Sequence, residues 1–204
     1  LKELAPEISL CEPGNIKSKR LPNLQTIIKI GGPIERGFIE FQEVAGKASE
    51  KNKDKIRDLV NILQFDDPIN IQFTSGTTGF PKGATLTHFN VLNNGYFTGE
   101  SLKFTSDDRL CVPVPLYHCF GMVLSNIAAL THGAALIYPD EAFDPLSVLE
   151  AVEEEKCTAL HGVPTMFIAE LEHSRFKEFD LSSLRTGIMA GSPCPIEIMR
   201  RVVD

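Results

Sequence analysis

The chain lacks any run of about 18 apolar residues, the length a membrane-crossing helix requires. Its longest candidate, Cys119 to Leu130, is too short and contains Ser125 and Asn126, so it reads as a buried helix. There is no C-x-x-C pair. The five cysteines at 11, 111, 119, 157 and 194 are scattered and odd in number, which argues against a disulfide framework and a zinc site and leaves reduced thiols in ordinary packing. Excess positive charge is also missing: the net charge is −7 and the pI is about 5.3. A general nucleic-acid or anionic-membrane surface is therefore not expected, and any anionic ligand has to be attracted locally. The sequence begins at Leu1 without a methionine, and no arginine-rich transit segment or secretory segment is visible, so processing or truncation is expected to have removed the true start.

What remains is 204 residues that are 43% hydrophobic, enough for one sizeable core or one lobe of a larger protein. Strand and helix patterns alternate along it. Gln25 to Ile30 reads as an early strand, and Ile56, Leu59, Val60 and Leu63 fall on one helical face, with a surface crossover between. The charged stretch Glu50 to Lys55 reads as a linker or, with more weight, a solvated helix start. Strands are expected near Leu110 to Val114, Ala134 to Tyr138, Thr158 to His161 and Thr186 to Ala190. Helices are expected near Cys119 to Leu130, Pro145 to Glu155, from Thr165, and over Ile196, Met199 and Val203. Asp144 is the expected cap of the helix that opens on Pro145. The acidic run Glu153 to Glu155 reads as a solvated helix face. This rhythm predicts an α/β fold with a mainly parallel sheet and flanking helices.

One stretch carries chemistry. Thr74-Ser75-Gly76-Thr77-Thr78-Gly79-Phe80-Pro81-Lys82-Gly83 packs hydroxyl residues, three glycines and a lysine into ten positions. It lies between an alternating strand, Ile69 to Phe73, and a helix start at Thr87 to Leu92, an expected strand, loop and helix. Glycines let backbone N–H groups approach an anion, hydroxyls add donors, and Lys82 adds charge. Each hydrogen bond to a charged oxygen is worth roughly 1.5 to 3 kcal/mol net, so four or five would hold a triphosphate such as that of ATP. The alternative, a flexible turn with a solvated lysine, fits poorly with Pro81, which stiffens the loop beside the lysine.

Two phosphate motifs are excluded by spacing. A P-loop needs Gly-Lys where this chain has Pro81-Lys82, and the glycines at 76, 79 and 83 do not follow Gly-x-Gly-x-x-Gly. The ten residues instead resemble the signature loop of the adenylate-forming superfamily, which includes acyl-CoA synthetases, luciferases and the adenylation domains of peptide synthetases. Pro115-Leu116-Tyr117-His118-Cys119-Phe120-Gly121 is similar to that family's second core motif. Taken alone His118 reads as a satisfied core histidine; in this motif, about thirty-five residues after the loop, it reads as a residue between the ATP site and the acyl pocket. Gly162-Val163-Pro164-Thr165 is similar to the family's Val-Pro turn, and Ala190-Gly191-Ser192-Pro193-Cys194-Pro195 to its small-residue segment against adenine. Asp67 to Phe73, with the His118 and Gly191 motifs, most resembles the medium-chain acyl-CoA synthetases of the superfamily.

The resemblance implies the following. Thr74, Ser75, Gly76, Thr77, Thr78, Gly79, Phe80, Pro81 and Lys82 would bind the ATP phosphates, with Thr77 or Thr78 assisting magnesium. His118 would line or gate the acyl pocket, and Gly191, Ser192 and Pro193 would lie on the adenine side. Residues 1–66 would be a partial N-terminal segment with a crossover helix, and 67–204 an AMP-binding core, part of the N-terminal domain of an adenylate-forming enzyme. Substrates would be a medium-chain fatty acid, ATP and coenzyme A, and the compartment mitochondrial. The helical pattern runs to Asp204 without a glycine cap, and the family's Tyr-Gly-x-Thr-Glu motif, ribose-binding aspartate, hinge and C-terminal lysine domain do not occur in these residues. A chain truncated at its C-terminal end, inactive alone, is the resulting expectation. The alternatives are an adenylate-former for another carboxylic acid, or a short nucleotide- or partner-binding product.

Overall fold

A computed structural model describes residues 1–74 and 79–204. The chain divides into two compact units, Leu1–Leu63 and Gln64–Asp204.

The first unit gathers Ala5, Ile8, Ile16 and Ile27 into a small core edged by Leu21, Leu24 and Phe38. A two-residue strand β1 (Ile28–Lys29) pairs in parallel with β2 (Ile39–Glu40), so the early strand is shorter than the pattern suggested. After a single turn, α1 (Phe41–Val44), comes α2 (Glu50–Leu59). Ser49 and Asn52 form a reciprocal capping box at its start, which fixes the charged stretch as a helix beginning rather than a linker. The expected apolar face is not realised as such. The helix ends at Leu59, ahead of Val60 and Leu63, and Ile56, Leu59, Val60 and Leu63 are all exposed.

The second unit opens with a hairpin. β3 (Pro68–Thr74) pairs antiparallel with β4 (Lys82–Thr87), with Thr74 opposite Lys82. The expectation of strand, loop and helix is corrected here: a second strand stands between the loop and the helix. Lys-Gly-Ala-Thr-Leu-Thr has little apolar alternation to mark it, and its pairing to β3 supplies what its own residues do not. Thr87 then caps α3 (His88–Leu102), accepting from the Asn90 N–H at 3.2 Å, while the Asn90 side chain accepts from the Thr87 N–H at 3.1 Å.

Four parallel strands form the main sheet: β5 (Arg109–Cys111), β6 (Ala135–Ile137), β7 (Ala159–Gly162) and β8 (Thr186–Met189), in the order β6-β5-β7-β8. Side chains alternate between its faces. Leu110 and Ala159 enter one core with Val112, Phe120, Ala128 and Ala129, while Cys111 and Leu160 enter the other with Val148, Val152 and Phe167. Both faces are covered, as a parallel sheet requires. The first is covered by a π-helix, Phe120–Ile127, that continues into α4 (Ala128–His132); the second by α5 (Pro145–Glu154) and α6 (Pro164–Leu171). Asp144 accepts from the Ser147 N–H at 2.8 Å and caps α5, with Pro145 at its first position. The last helix is α7 (Ile196–Val203). The fold is thus α/β with a mainly parallel sheet and flanking helices. At the amino end of the sheet, Asp108 takes Arg185 Nε at 2.9 Å and Thr158 Oγ1 at 2.6 Å, tying β5, β7 and β8 together.

Candidate functional site

The strand order sets the site. From β5 the chain moves to β6 on one side, then returns past β5 to β7 and β8 on the other. The order reverses between β5 and β7, and in open α/β sheets ligands bind outside the carboxyl ends of the strands at such a reversal. Two motif segments follow the strands that flank it and the third follows the neighbouring strand. His118 follows β5, Val163 and Pro164 follow β7, and Gly191, Ser192 and Pro193 follow β8.

Local geometry shapes each segment. Residues Cys111–Val114 are buried and Pro115–Cys119 are exposed, so the chain leaves the core at Pro115. It then turns: the His118 N–H donates to the Pro115 carbonyl at 3.2 Å, and His118 Nδ1 accepts from the Phe120 N–H at 3.1 Å. His118 is therefore an exposed ring anchored by one nitrogen, not a core histidine. Gly121 lets this turn close, because a Cβ there would lie 2.4 Å from the Pro115 carbonyl oxygen. Val163 precedes α6 and Pro164 is its first residue, where a missing N–H costs nothing. The Ala190 N–H donates to the Gly162 carbonyl at 3.2 Å, joining the ends of β7 and β8. Gly191 has φ +91°, a left-handed conformation, and a Cβ on it would approach Val163 Cγ1 to 3.1 Å. Only glycine combines that backbone with that proximity at low cost.

The loop hangs between the hairpin strands. Thr74 and Lys82 face each other across the pair, and Gly79, Phe80, Pro81 and Lys82 are exposed. Ser75, Gly76, Thr77 and Thr78, central to the expected phosphate cradle and to magnesium, lie outside the described residues. The hairpin reaches the His118 segment through Asn70, whose Nδ2 is 3.9 Å from Met122 Sδ, with Met122 N–H donating to the His118 carbonyl at 2.9 Å. The structure thus joins the hairpin to the end of β5 and the end of β7 to the end of β8. Among the described residues no group of three or more His, Cys, Asp or Glu side chains is assembled to hold a metal.

Sequence reasoning did not single out the buried polar groups of the second unit. His161, on β7, is fully buried; its Nδ1 is 2.9 Å from Ser125 Oγ, which donates to the Phe120 carbonyl at 3.0 Å. Burial pushes the His161 pKa down to about 4, so the ring is neutral near pH 7. Its Nε2 has no hydrogen-bond partner among the described residues. Glu170, on α6, is 5% exposed, and burial pushes its carboxyl up to about 7. The Cys111 thiol is pushed up by a hydrogen bond with Cys157 and by burial, which keeps it protonated and inert. No short-range pattern marks these groups, since Ser125 and His161 are 36 residues apart.

The sequence profile described as "AMP-binding enzyme" matches residues 12–204, and the chain belongs to that family. It is 51% identical over its whole length to the putative acyl-CoA synthetase YngI of Bacillus subtilis, covering 37% of that protein. It is 46% identical over its whole length to the medium-chain acyl-CoA ligase ACSF2, mitochondrial, of Danio rerio, covering 34% of it. The chain therefore spans about a third of the length of these relatives. Among solved structures, it is similar to the anthranilate CoA ligase AuaEII in complex with anthranoyl-AMP, with a TM-score of 0.69 and 27% identity over 88% of this chain and 34% of that one. It is also similar to the N-terminal domain of FACL13 from Mycobacterium tuberculosis, with a TM-score of 0.60 and 29% identity over 68% of this chain and 34% of that one. The fold is part of the N-terminal domain of an adenylate-forming enzyme.

Proposed function

We propose that the chain is a central part of an ATP-dependent, AMP-forming ligase that joins a medium-chain fatty acid to coenzyme A. The observation that supports this is that the His118 and Val163 segments follow the two strands flanking the strand-order reversal, with the Gly191 segment on the next strand in contact with Val163, and the β3–β4 hairpin reaching Met122 through Asn70. A relative of the same fold holds an acyl adenylate, which supports acyl-AMP as the intermediate. Medium-chain fatty acid and a mitochondrial compartment are supported by the name of the Danio rerio relative; the Bacillus subtilis relative is bacterial, so the compartment rests on less than the chemistry. In this reading residues 67–204 are the AMP-binding core and 1–66 a partial N-terminal segment.

A carboxylate oxygen bonds to the α-phosphorus of ATP, and the bond to the β-phosphate bridging oxygen breaks with its electrons leaving on pyrophosphate. The CoA thiol then loses its proton to solvent as its sulfur bonds to the acyl carbon, and AMP leaves with the electrons of the C–O bond. The first step builds charge on pyrophosphate. Thr74, the loop residues 75–79, Phe80, Pro81 and the Lys82 ammonium are assigned to hold that charge with fixed donors, a preorganised electrostatic contribution. Magnesium would enter with the phosphates and neutralise them further; Thr77 and Thr78 are its proposed helpers. His118 is assigned to the acyl side as a gate. Gly191, Ser192 and Pro193 are assigned to the adenine side, where the absence of a bulky side chain at Gly191 leaves room for a flat ring.

A second reading, an adenylate-former for an aryl acid, is favoured by the likeness to an anthranilate ligase. ATP–pyrophosphate exchange by the full-length protein decides between them. Octanoate should support exchange and anthranilate should not; exchange with anthranilate or an amino acid, and none with octanoate, overturns the fatty-acid assignment. The 204 residues alone should give no acyl-CoA, and turnover by them would show that the catalytic machinery has been misplaced.

A further inference from the structure

The backbone of Phe120 is held on both sides. Its N–H donates to His118 Nδ1 at 3.1 Å, and its carbonyl accepts from the Ser125 hydroxyl at 3.0 Å. A hydroxyl has one proton to give, so the Ser125 oxygen, 2.9 Å from His161 Nδ1, accepts there. His161 therefore carries its hydrogen on Nδ1, and Nε2 is the bare, unpartnered nitrogen. The same reasoning applied to His118 puts its proton on Nε2, because Nδ1 is already an acceptor. Two hydrogen-bonded segments, joined through the Phe120 backbone, thus lead from the buried strand β7 through the π-helix to the exposed ring after β5.

Two features show that this line is maintained against a cost. His161 is fully buried between Phe104 and Phe120, with ring centroids 6.4 and 5.7 Å away, and an apolar residue there would leave no ring nitrogen unsatisfied. The Ser125 hydroxyl bridges five residues back to Phe120 across a π-helix, a wide turn that is rare and found mostly at functional sites. Losing that bond would free the Phe120–Gly121 peptide, and the Phe120 backbone dihedrals link that peptide to the Cys119–Phe120 N–H on which His118 rests.

We infer that Ser125 and His161 are positioning residues that set the orientation of His118, and through it the entry of the carboxylic acid. The inference rests on the reading of His118 as the acyl gate. It deepens that reading by adding a buried pair that does not touch the substrate.

The test uses the full-length ligase, ATP–pyrophosphate exchange and octanoate, with His118→Ala, Ser125→Ala, His161→Phe, His161→Asn and the double variant Ser125→Ala/His118→Ala. Ser125→Ala and His161→Phe should each raise the KM for octanoate about fivefold, the worth of one hydrogen bond, and leave the KM for ATP unchanged. His161→Asn, whose amide N–H reproduces the Nδ1 donor, should restore the octanoate KM. With His118 already removed, Ser125→Ala should add nothing further. Additive losses in the double variant, equal rises in both KM values, or His161→Asn as impaired as His161→Phe overturn the inference in favour of a merely structural pair. Where His161→Phe does not fold, Ser125→Ala and the double variant carry the test. An octanoate KM unchanged by His118→Ala overturns the gate reading and the inference with it. A KM raised by His118→Ala, with wild-type values in Ser125→Ala and His161→Phe, overturns the inference alone.

Discussion

Replacing Gly121 by alanine should impair the site without touching any group assigned to the chemistry. The added Cβ would stand 2.4 Å from the Pro115 carbonyl oxygen, 2.9 Å from its carbon and 3.0 Å from Leu116 Cα. All three are backbone atoms, so no side-chain rotation relieves the contact. Returning to van der Waals distance requires the Pro115 to His118 turn to withdraw by about 1 Å. Overpacking of this kind costs about 1 to 3 kcal/mol, much of which the exposed turn can shed by moving. Its movement carries the His118 ring, and a displacement of about 1 Å in a positioning element lowers activity by up to ~10²-fold. We expect kcat/KM for octanoate in ATP–pyrophosphate exchange to fall by at least ~10-fold, with a thermal midpoint lowered by only a few degrees. A variant with wild-type kcat/KM would show that the turn does not set the site. A variant that simply unfolds would show that the turn is part of the core rather than its exit.

Two buried carboxylates should give opposite pH signatures in denaturant unfolding. Burial pushes Asp108 up, but hydrogen bonds from Arg185, Thr158 and the Thr105 N–H outweigh it and hold the pKa at about 2, below the 3.8 of a free aspartate. Its contribution, about 2 kcal/mol, is present above pH 4 and is lost as pH falls toward 2, and Asp108→Asn should remove that acid slope. Glu170 is raised from 4.5 to about 7 by burial. Its protonated form suits the fold, so stability should decline by about 3 kcal/mol between pH 4.5 and 7 and then level off. Glu170→Gln should flatten that decline and make the protein more stable at pH 8; an unchanged profile would show that Glu170 is solvated in the folded state.

Local signals in the sequence proved sufficient where the physics is local. Asp144 and Pro145 announce α5 because a capping carboxylate and a proline at the first position act within one turn. The strands of the parallel sheet were visible as short apolar runs, whereas the segments around His118, Val163 and Gly191 stood out through their resemblance to a family. β4 was not visible, since its residues gain strand geometry only by pairing with β3. Nor was the Ser125–His161 pair, or the clamp between Asp108 and Arg185, which are 77 residues apart. Contacts of that separation are set by the fold and leave no mark on either neighbourhood. The apolar residues around α2 show the reverse failure: of the four read as one helical face, Val60 and Leu63 lie beyond the helix end at Leu59, and none of the helix's side chains is buried.

The proposed role of the loop ending at Lys82 is to stabilise departing pyrophosphate. Acid-dependent ATP–pyrophosphate exchange by the full-length Lys82→Ala variant tests it most directly. Loss of a charge contact made in the transition state should slow exchange by about tenfold or more at saturating octanoate and ATP. Exchange at the wild-type rate would contradict the assignment of this loop to the phosphates.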